Sequence, residues 1–255
     1  MDNMDDHMRN QKNNFIQRFS RNLFFAAALL LVPAIMSTAA NNTKTVARYK
    51  VSSMGFDIGD VTTSQRFTED GGLSGLQFET RTMVKASFLW MGYHQDTVEK
   101  GTLRKRDLVS YSRKGRENGA VIDIEGRLEG PFFRFEVREH GGTRSVVIPR
   151  DSYDYTTMEC PEARLDFKDK ARVTLRVLDV EKLAVVKREY RLIRNSQYMV
   201  DGKDYPCRIV DFTDQNKKAR RWIAWDGATV VMYRQDGRGE KNSYSVQATS
   251  VAREL

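Results

Sequence analysis

The sequence predicts a mainly β protein, a strongly curved antiparallel meander (half-barrel or barrel-like) with one short helical crossover. Three observations carry that prediction. Val, Ile, Thr, Tyr, Phe and Trp alternate with polar residues over most of residues 45–251, the period-two pattern of half-buried strands. Glycine-containing turns separate these runs at short intervals. Strand and helix patterns do not alternate as they would in a parallel sheet.

The N-terminus precedes the fold. Arg18 and Arg21 stand before an apolar run from Leu23 to Val32, and small residues follow at Ser37-Thr38-Ala39-Ala40. A basic flank, a short apolar core and an Ala-x-Ala-like site compose a secretory signal peptide. The run is short for a membrane span, which needs about 20 apolar residues; the alternative is a retained anchor. Met4 and Met8 are further candidate starts. Residues 1–40 are therefore expected to be a signal peptide cleaved near Ala39 or Ala40, residues 41–255 a single exported domain, and the periplasm its compartment. The chain of 255 residues carries a formal charge of +8; its first 40 residues hold four basic and three acidic side chains, which leaves +7 on the exported part.

Strands are expected in order along that part. Ala47, Tyr49, Val51 and Ser53 alternate with Arg48, Lys50 and Ser52, and Gly55 turns the chain into Phe56–Phe67. Asp70-Gly71-Gly72 leads to Leu73–Val84, followed by Phe88–Val98 and Leu103–Tyr111. Asn118-Gly119 precedes Val121–Ile124, then Phe133, Phe135 and Val137 alternate with charged residues. His140-Gly141-Gly142 precedes Val146–Ile148, and Pro149 ends that run because proline cannot donate to a ladder.

Residues 150–171 lack any period-two run and read as the crossover, with Pro161 in the first turn of a short helix. Strands resume at Val173–Val177, Val185–Ile193, Tyr205–Phe212, Arg220–Trp225, Ala228–Arg234 and Tyr244–Val251, punctuated by Asp201-Gly202, Asp226-Gly227 and Asp236-Gly237.

The Asp226-Gly227 hairpin is the strongest local signal, since a two-residue type I′ loop requires positive φ at both positions. With that loop one face carries Trp225, Ala228, Ile223, Val230 and Met232, and the other Trp222, Val231, Ala224 and Tyr233. Directly paired residues share a face, and neither face is polar. Both sides therefore need cover, and one side is expected to line a cavity for a hydrophobic ligand. The candidate ligand-binding residues are Trp222, Trp225, Ile223, Val230, Met232 and Tyr233.

Cys160 and Cys207 are the two cysteines of an exported chain. That even count favours a disulfide, worth roughly 4 kcal/mol in the chain-entropy treatment; the other arrangement is two separate buried thiols. Catalytic motifs are missing. His94 and His140 lack the neighbours of a zinc site, and no Gly-x-Ser-x-Gly elbow, P-loop or dinucleotide fingerprint occurs. No metal, cofactor or catalytic residue is expected. Asp151, Asp154, Glu159 and Glu162 in the crossover are the carboxylates through which a hydrolase would have to work.

Tyr49-Lys50-Val51, Gly55, Ile58-Gly59, Tyr205-Pro206-Cys207 and Trp222-Ile223-Ala224-Trp225-Asp226-Gly227, behind an exported leader, resemble a group of uncharacterised exported bacterial proteins. That group in turn resembles the LolA-like lipoprotein-carrier half-barrels of the periplasm. The resemblance implies an incomplete antiparallel barrel over helical cover and a non-enzymatic carrier for a hydrophobic or amphipathic ligand. The basic charge makes an anionic ligand, or an anionic membrane lipid surface, the expected partner. Lys and Arg are scattered rather than clustered, so no nucleic acid is expected. The alternative reading is an envelope interaction or assembly factor.

Overall fold

Hairpins are added outward from the first and last described strands, which pair side by side. The structure, a computed structural model, describes residues 42–70, 73–88, 91–105, 107–139, 141–167, 172–238 and 243–254. The expected signal peptide and His140 lie outside the described residues. Residues Ala40–Leu255 form one compact unit.

One arm of the sheet is β1 (Asn42–Ser53), β2 (Phe56–Asp70), β3 (Leu73–Phe88), β4 (Met91–Arg104), β5 (Asp107–Glu117), β6 (Ala120–Glu129), β7 (Phe132–Glu139) and β8 (Gly142–Pro149). After the crossover come β9 (Tyr155–Thr156), β10 (Arg172–Asp179), β11 (Ala184–Val200), β12 (Lys203–Thr213), β13 (Lys218–Trp225), β14 (Val230–Arg238) and β15 (Ser243–Glu254). All belong to one sheet, ordered from β8 down to β1, then β15 down to β9. Neighbours are antiparallel except β9 and β10. This is the curved antiparallel meander that the sequence predicts, and it is not closed.

The degree of curvature follows from one connection. Only residues 150–154 separate β8 from β9, the two edges of the sheet. A link of that length reaches at most about 20 Å. Fifteen strands laid flat at about 4.8 Å would put the edges about 65 Å apart. The sheet therefore curls until its edges almost meet. The Arg150 N–H donates to the Pro131 carbonyl at 2.8 Å and the Asp154 N–H to the Arg176 carbonyl at 2.8 Å, so the strap is tied to both arms. The short helical crossover expected is built of 3-10 turns (Arg150–Ser152, Thr157–Glu159 and Pro161–Ala163), with Pro161 in the first turn of the last.

Tight curvature needs room on the inner face. Phe78 lies directly across from Gly101, Phe135 from Gly126 and Tyr244 from Gly237, and a Cβ on any of these glycines would collide with an aromatic ring. The rings lie where side chains would otherwise crowd the bend. Type I′ turns join β1 to β2 at Met54-Gly55, β5 to β6 at Asn118-Gly119 and β11 to β12 at Asp201-Gly202, with positive φ at each pair.

The expected two-residue loop at Asp226-Gly227 is replaced by four residues, Asp226–Thr229, and Trp225 pairs with Val230. The Asp226 carboxylate accepts the N–H groups of Ala228 at 2.9 Å and Thr229 at 2.7 Å, so a side chain, not a primed turn, reverses the chain. The register shift is two residues from Ile223 to Trp225 and three at Trp222, beyond a bulge, and Trp222 and Tyr233 keep their expected common face. Asp236-Gly237, expected as a turn, lies within β14.

Three apolar clusters fill the interior. The first joins Leu108, Phe133 and Phe135 of one arm to Tyr153 of the strap and Leu178, Val180 and Leu183 of the other arm. The second packs Val177, Tyr190, Val210, Phe212, Ile223 and Val230 under Ala163, with Cys160 against it. The third holds Val200, Cys207, Val231 and Tyr233. The expected disulfide is therefore corrected. Both thiols are free, because Cys160 packs against the second cluster while Cys207, on the strand face opposite Val210 and Phe212, belongs to the third.

Gly101→Val is expected to lower stability by roughly 1–3 kcal/mol by displacing Phe78, read as a lower urea midpoint at unchanged slope. In guanidinium without reductant, both thiols are expected to react with Ellman's reagent. In the folded protein at pH 8 Cys160 should react slowly, because burial pushes its thiol up to about 11.

Candidate functional site

The inward faces of the two arms do not meet everywhere, and a cavity of about 730 Å³ remains between them. Alternation decides its walls. On the first arm the inward residues are Tyr49 and Val51 of β1, Val61 and Thr63 of β2, Thr80, Thr82 and Val84 of β3, and Gln95, Thr97 and Glu99 of β4. The register aligns Tyr49 with Val61, Val61 with Thr82 and Thr82 with Thr97, and Thr63 with Thr80, so threonine hydroxyls stand among apolar side chains on this wall, with Gln95 and Glu99 beside them. Opposite lie Phe212, Val230 and Met232, Val246 of β15 lies beside its partner Val51, and the crossover contributes Thr157, Met158 and Cys160.

Cavities of about 300–1,000 Å³ that are largely apolar with a few fixed polar groups hold small organic ligands. The polar groups here are mostly neutral. Tyr49 is buried, and that burial pushes its phenol up to about 12. Gln65 uses its whole amide on one backbone unit, donating to the Val230 carbonyl at 2.7 Å and accepting the Val230 N–H at 3.0 Å. It does so because β14 pairs with β15 only from Arg234 to Arg238, which leaves Val230 without a ladder neighbour on that side; buried backbone groups need partners.

The charges at the cavity are paired. Arg188, 2% exposed, contacts Asp179 at 3.1 Å and Asp214 at 2.7 Å, with its guanidinium 4.7 Å from the Phe212 ring centre. Arg221 covers the same ring at 4.6 Å and pairs with fully buried Glu162 at 2.5 Å. Lys217 pairs with Glu181 and Arg113 with Glu117 at 3.2 Å. Burial holds the Glu99 carboxyl above the usual carboxylate range, although the Tyr111 hydroxyl donating at 2.7 Å works against it.

The six residues singled out from sequence divide between surroundings. Val230 and Met232 line the cavity, and Ile223 lies behind it in the second cluster. Tyr233 and Trp222 face the other way, against Tyr198, Tyr205 and Cys207; Tyr198 and Tyr233 stack at 6.1 Å. Trp225 is 47% exposed at the hairpin end, with the Arg164 guanidinium 5.4 Å from its ring centre. Residues from β1 to β4 make up most of the lining and were not singled out. Their signal was the inward set of each alternation, Thr80-Thr82-Val84 above all.

The crossover carboxylates have separate structural partners. Asp154 pairs with Arg176 at 2.7 Å, Glu159 accepts the Thr156 N–H at 2.7 Å, and Glu162 holds Arg221. Asp151 is exposed. Among the described residues no cluster of three His, Cys, Asp or Glu side chains could hold a metal.

No family model and no curated protein sequence matches the chain. Among solved structures it is similar to the crystal structure of a β-barrel-like protein of domain of unknown function DUF1849 from Brucella abortus. The TM-score is 0.53 at 10% identity, covering 83% of this chain and 98% of the other. That likeness is one of fold.

Arg221→Met is expected to cost about 3–5 kcal/mol, because Glu162 keeps its buried charge and loses its cation. Adding Glu162→Gln should recover most of the loss. Urea midpoints of the single and double variants check both outcomes.

Proposed function

We propose that the protein is an exported, non-catalytic binding or carrier protein whose cavity takes the apolar part of an amphipathic, lipid-like ligand. The observation that carries the reading is the cavity wall itself: apolar side chains interspersed with threonine hydroxyls and glutamine amides, with every lining cation paired. Such a surface dissolves a chain and hydrogen-bonds an uncharged or zwitterionic linkage. It offers no spare positive charge, so the anionic ligand expected from composition gains nothing inside. The export signal read from the sequence and the resemblance to periplasmic lipoprotein carriers support the same function. The cover over the sheet differs from the helices of that resemblance, being three 3-10 turns and a strap.

Native mass spectrometry and solvent extraction of residues 40–255, purified from cells without detergent, test the proposal. A bound lipid-like mass is expected. Met232→Trp should abolish it while the circular dichroism spectrum stays unchanged, since the substitution fills the cavity from its wall. Wild-type protein recovered empty and refusing a fluorescent fatty acyl probe would refute the reading.

A further inference from the structure

Opposite charges face each other across many of the strand pairs. Lys44 meets Glu254, Lys50 meets Asp60, Lys100 meets Glu79 and Arg220 meets Asp211, all within salt-bridge distance. Like charges directly opposite one another destabilise a strand pair, and where they occur an acid usually intervenes. Arg176 and Lys187 are opposed, yet Arg176 holds Asp154; Arg127 and Arg134 are opposed, yet Arg134 holds Glu129 at 2.9 Å.

Lys218 and Arg238 break this rule. They are direct partners on β13 and β14, both are exposed, and among the described residues neither has an acidic partner. The intervening Ala219 points into the second cluster, so Lys218 points outward.

Further along the same rim, past β15, the β1–β2 turn carries exposed apolar side chains. Arg238 pairs with Ser243 of β15, whose carbonyl accepts the Ser53 hydroxyl at 2.8 Å. Met54 follows Ser53 in the β1–β2 turn and is 61% exposed; Phe56 is 62% exposed. Met54 adopts φ 53°, the position held by Asn118 and Asp201 in the other two I′ turns. Asn, Asp and Gly suit that conformation, so local backbone preference does not account for methionine here. The rim is also the end of the cavity, since Ser53, Ile58, Lys217 and Tyr244 line it.

We propose that this rim docks on the surface of an anionic phospholipid bilayer. Met54 and Phe56 enter the boundary between headgroups and acyl chains, and Lys218 and Arg238 take headgroup phosphates. Exposed apolar side chains flanked by cations are the combination that binds such an interface. An acidic protein would complement the cations and leave the apolar turn in water. The inference rests on the carrier reading for its purpose, because docking here would set the cavity mouth against the source of the ligand.

Flotation of residues 40–255 with vesicles of 70:30 phosphatidylcholine:phosphatidylglycerol, against vesicles of phosphatidylcholine alone, tests the docking. Binding is expected to the anionic vesicles and to fall with added salt. Lys218→Ser with Arg238→Ser should weaken it about 25-fold, at about fivefold per cation. Met54→Ser with Phe56→Ser should weaken it about tenfold or more. Bound lipid is measured on the same samples by extraction. Loss of flotation in wild-type protein that still carries lipid overturns the docking and leaves the cavity reading; empty wild-type protein that floats, and whose rim variants do not, overturns the cavity reading alone. Binding that survives Met54→Ser with Phe56→Ser but is displaced by poly-glutamate overturns the bilayer in favour of an acidic protein.

Discussion

A strap of five residues, 150–154, has to join the two edges of a sheet built from fifteen strands, and most other features answer to that constraint. The edges remain unpaired, so no hydrogen-bonded seam shares the load. Side chains take its place: Tyr153, 2% exposed, sits in the apolar cluster that binds β5–β7 to the β10–β11 turn. Arg150 reaches back to Asp107 at 2.7 Å and to the Tyr153 carbonyl at 3.0 Å, while Arg176 holds Asp154 from the far arm. Glycines opposite Phe78, Phe135 and Tyr244 supply the room that such curvature removes from the inner face.

The same constraint makes the cavity. A curled sheet whose arms are pinned at one edge by packing need not bring every inward side chain into contact, and threonines rather than leucines stand where the arms diverge. The crossover, forced to run inside, brings Met158 and Cys160 to the wall and Glu162 to Arg221. Two guanidinium groups, Arg188 and Arg221, then cover the ring of Phe212. Buried ion pairs of this kind recover little net stability because both partners lose water. Their effect is to fix the crossover and the Asp214 loop against the sheet, where an apolar substitute would pack without direction.

Much of the fold was legible in the sequence because a period of two survives any long-range arrangement. Alternation located the strands, and the face assignment of the β13–β14 hairpin survived even though its loop did not, because the register slipped by two from Ile223 to Trp225. The loop itself was misread since Asp-Gly permits a primed turn without requiring one, and Asp226 used its carboxylate to reverse the chain instead. The site was far less legible. Which inward faces confront each other depends on how the arms curl, and that is set by the strap and by bulges such as the one between Arg48 and Tyr49. Hence Trp222 and Tyr233, apolar and prominent in sequence, pack away from the cavity, while Thr82 and Thr97 line it. The cysteine pairing failed for the same reason: an even count says nothing of which side of a strand a thiol takes.

The distribution of charge separates interior from surface. A net charge of +8 read from composition suggests an electropositive pocket, but an uncompensated cation inside a poorly solvated cavity would cost several kcal/mol. The chain meets that cost by placing Asp179, Asp214, Glu162 and Glu181 against the interior cations. Positive excess is thereby displaced to the outer face, where water and salt screen it and an opposed pair such as Lys218 and Arg238 is tolerated. In the proposed carrier a ligand would enter the cavity for the removal of its apolar surface from water, while attraction to an anionic surface would act at the rim. Ligand binding would then rest on the cavity wall and membrane docking on the rim, so each would be open to change without the other.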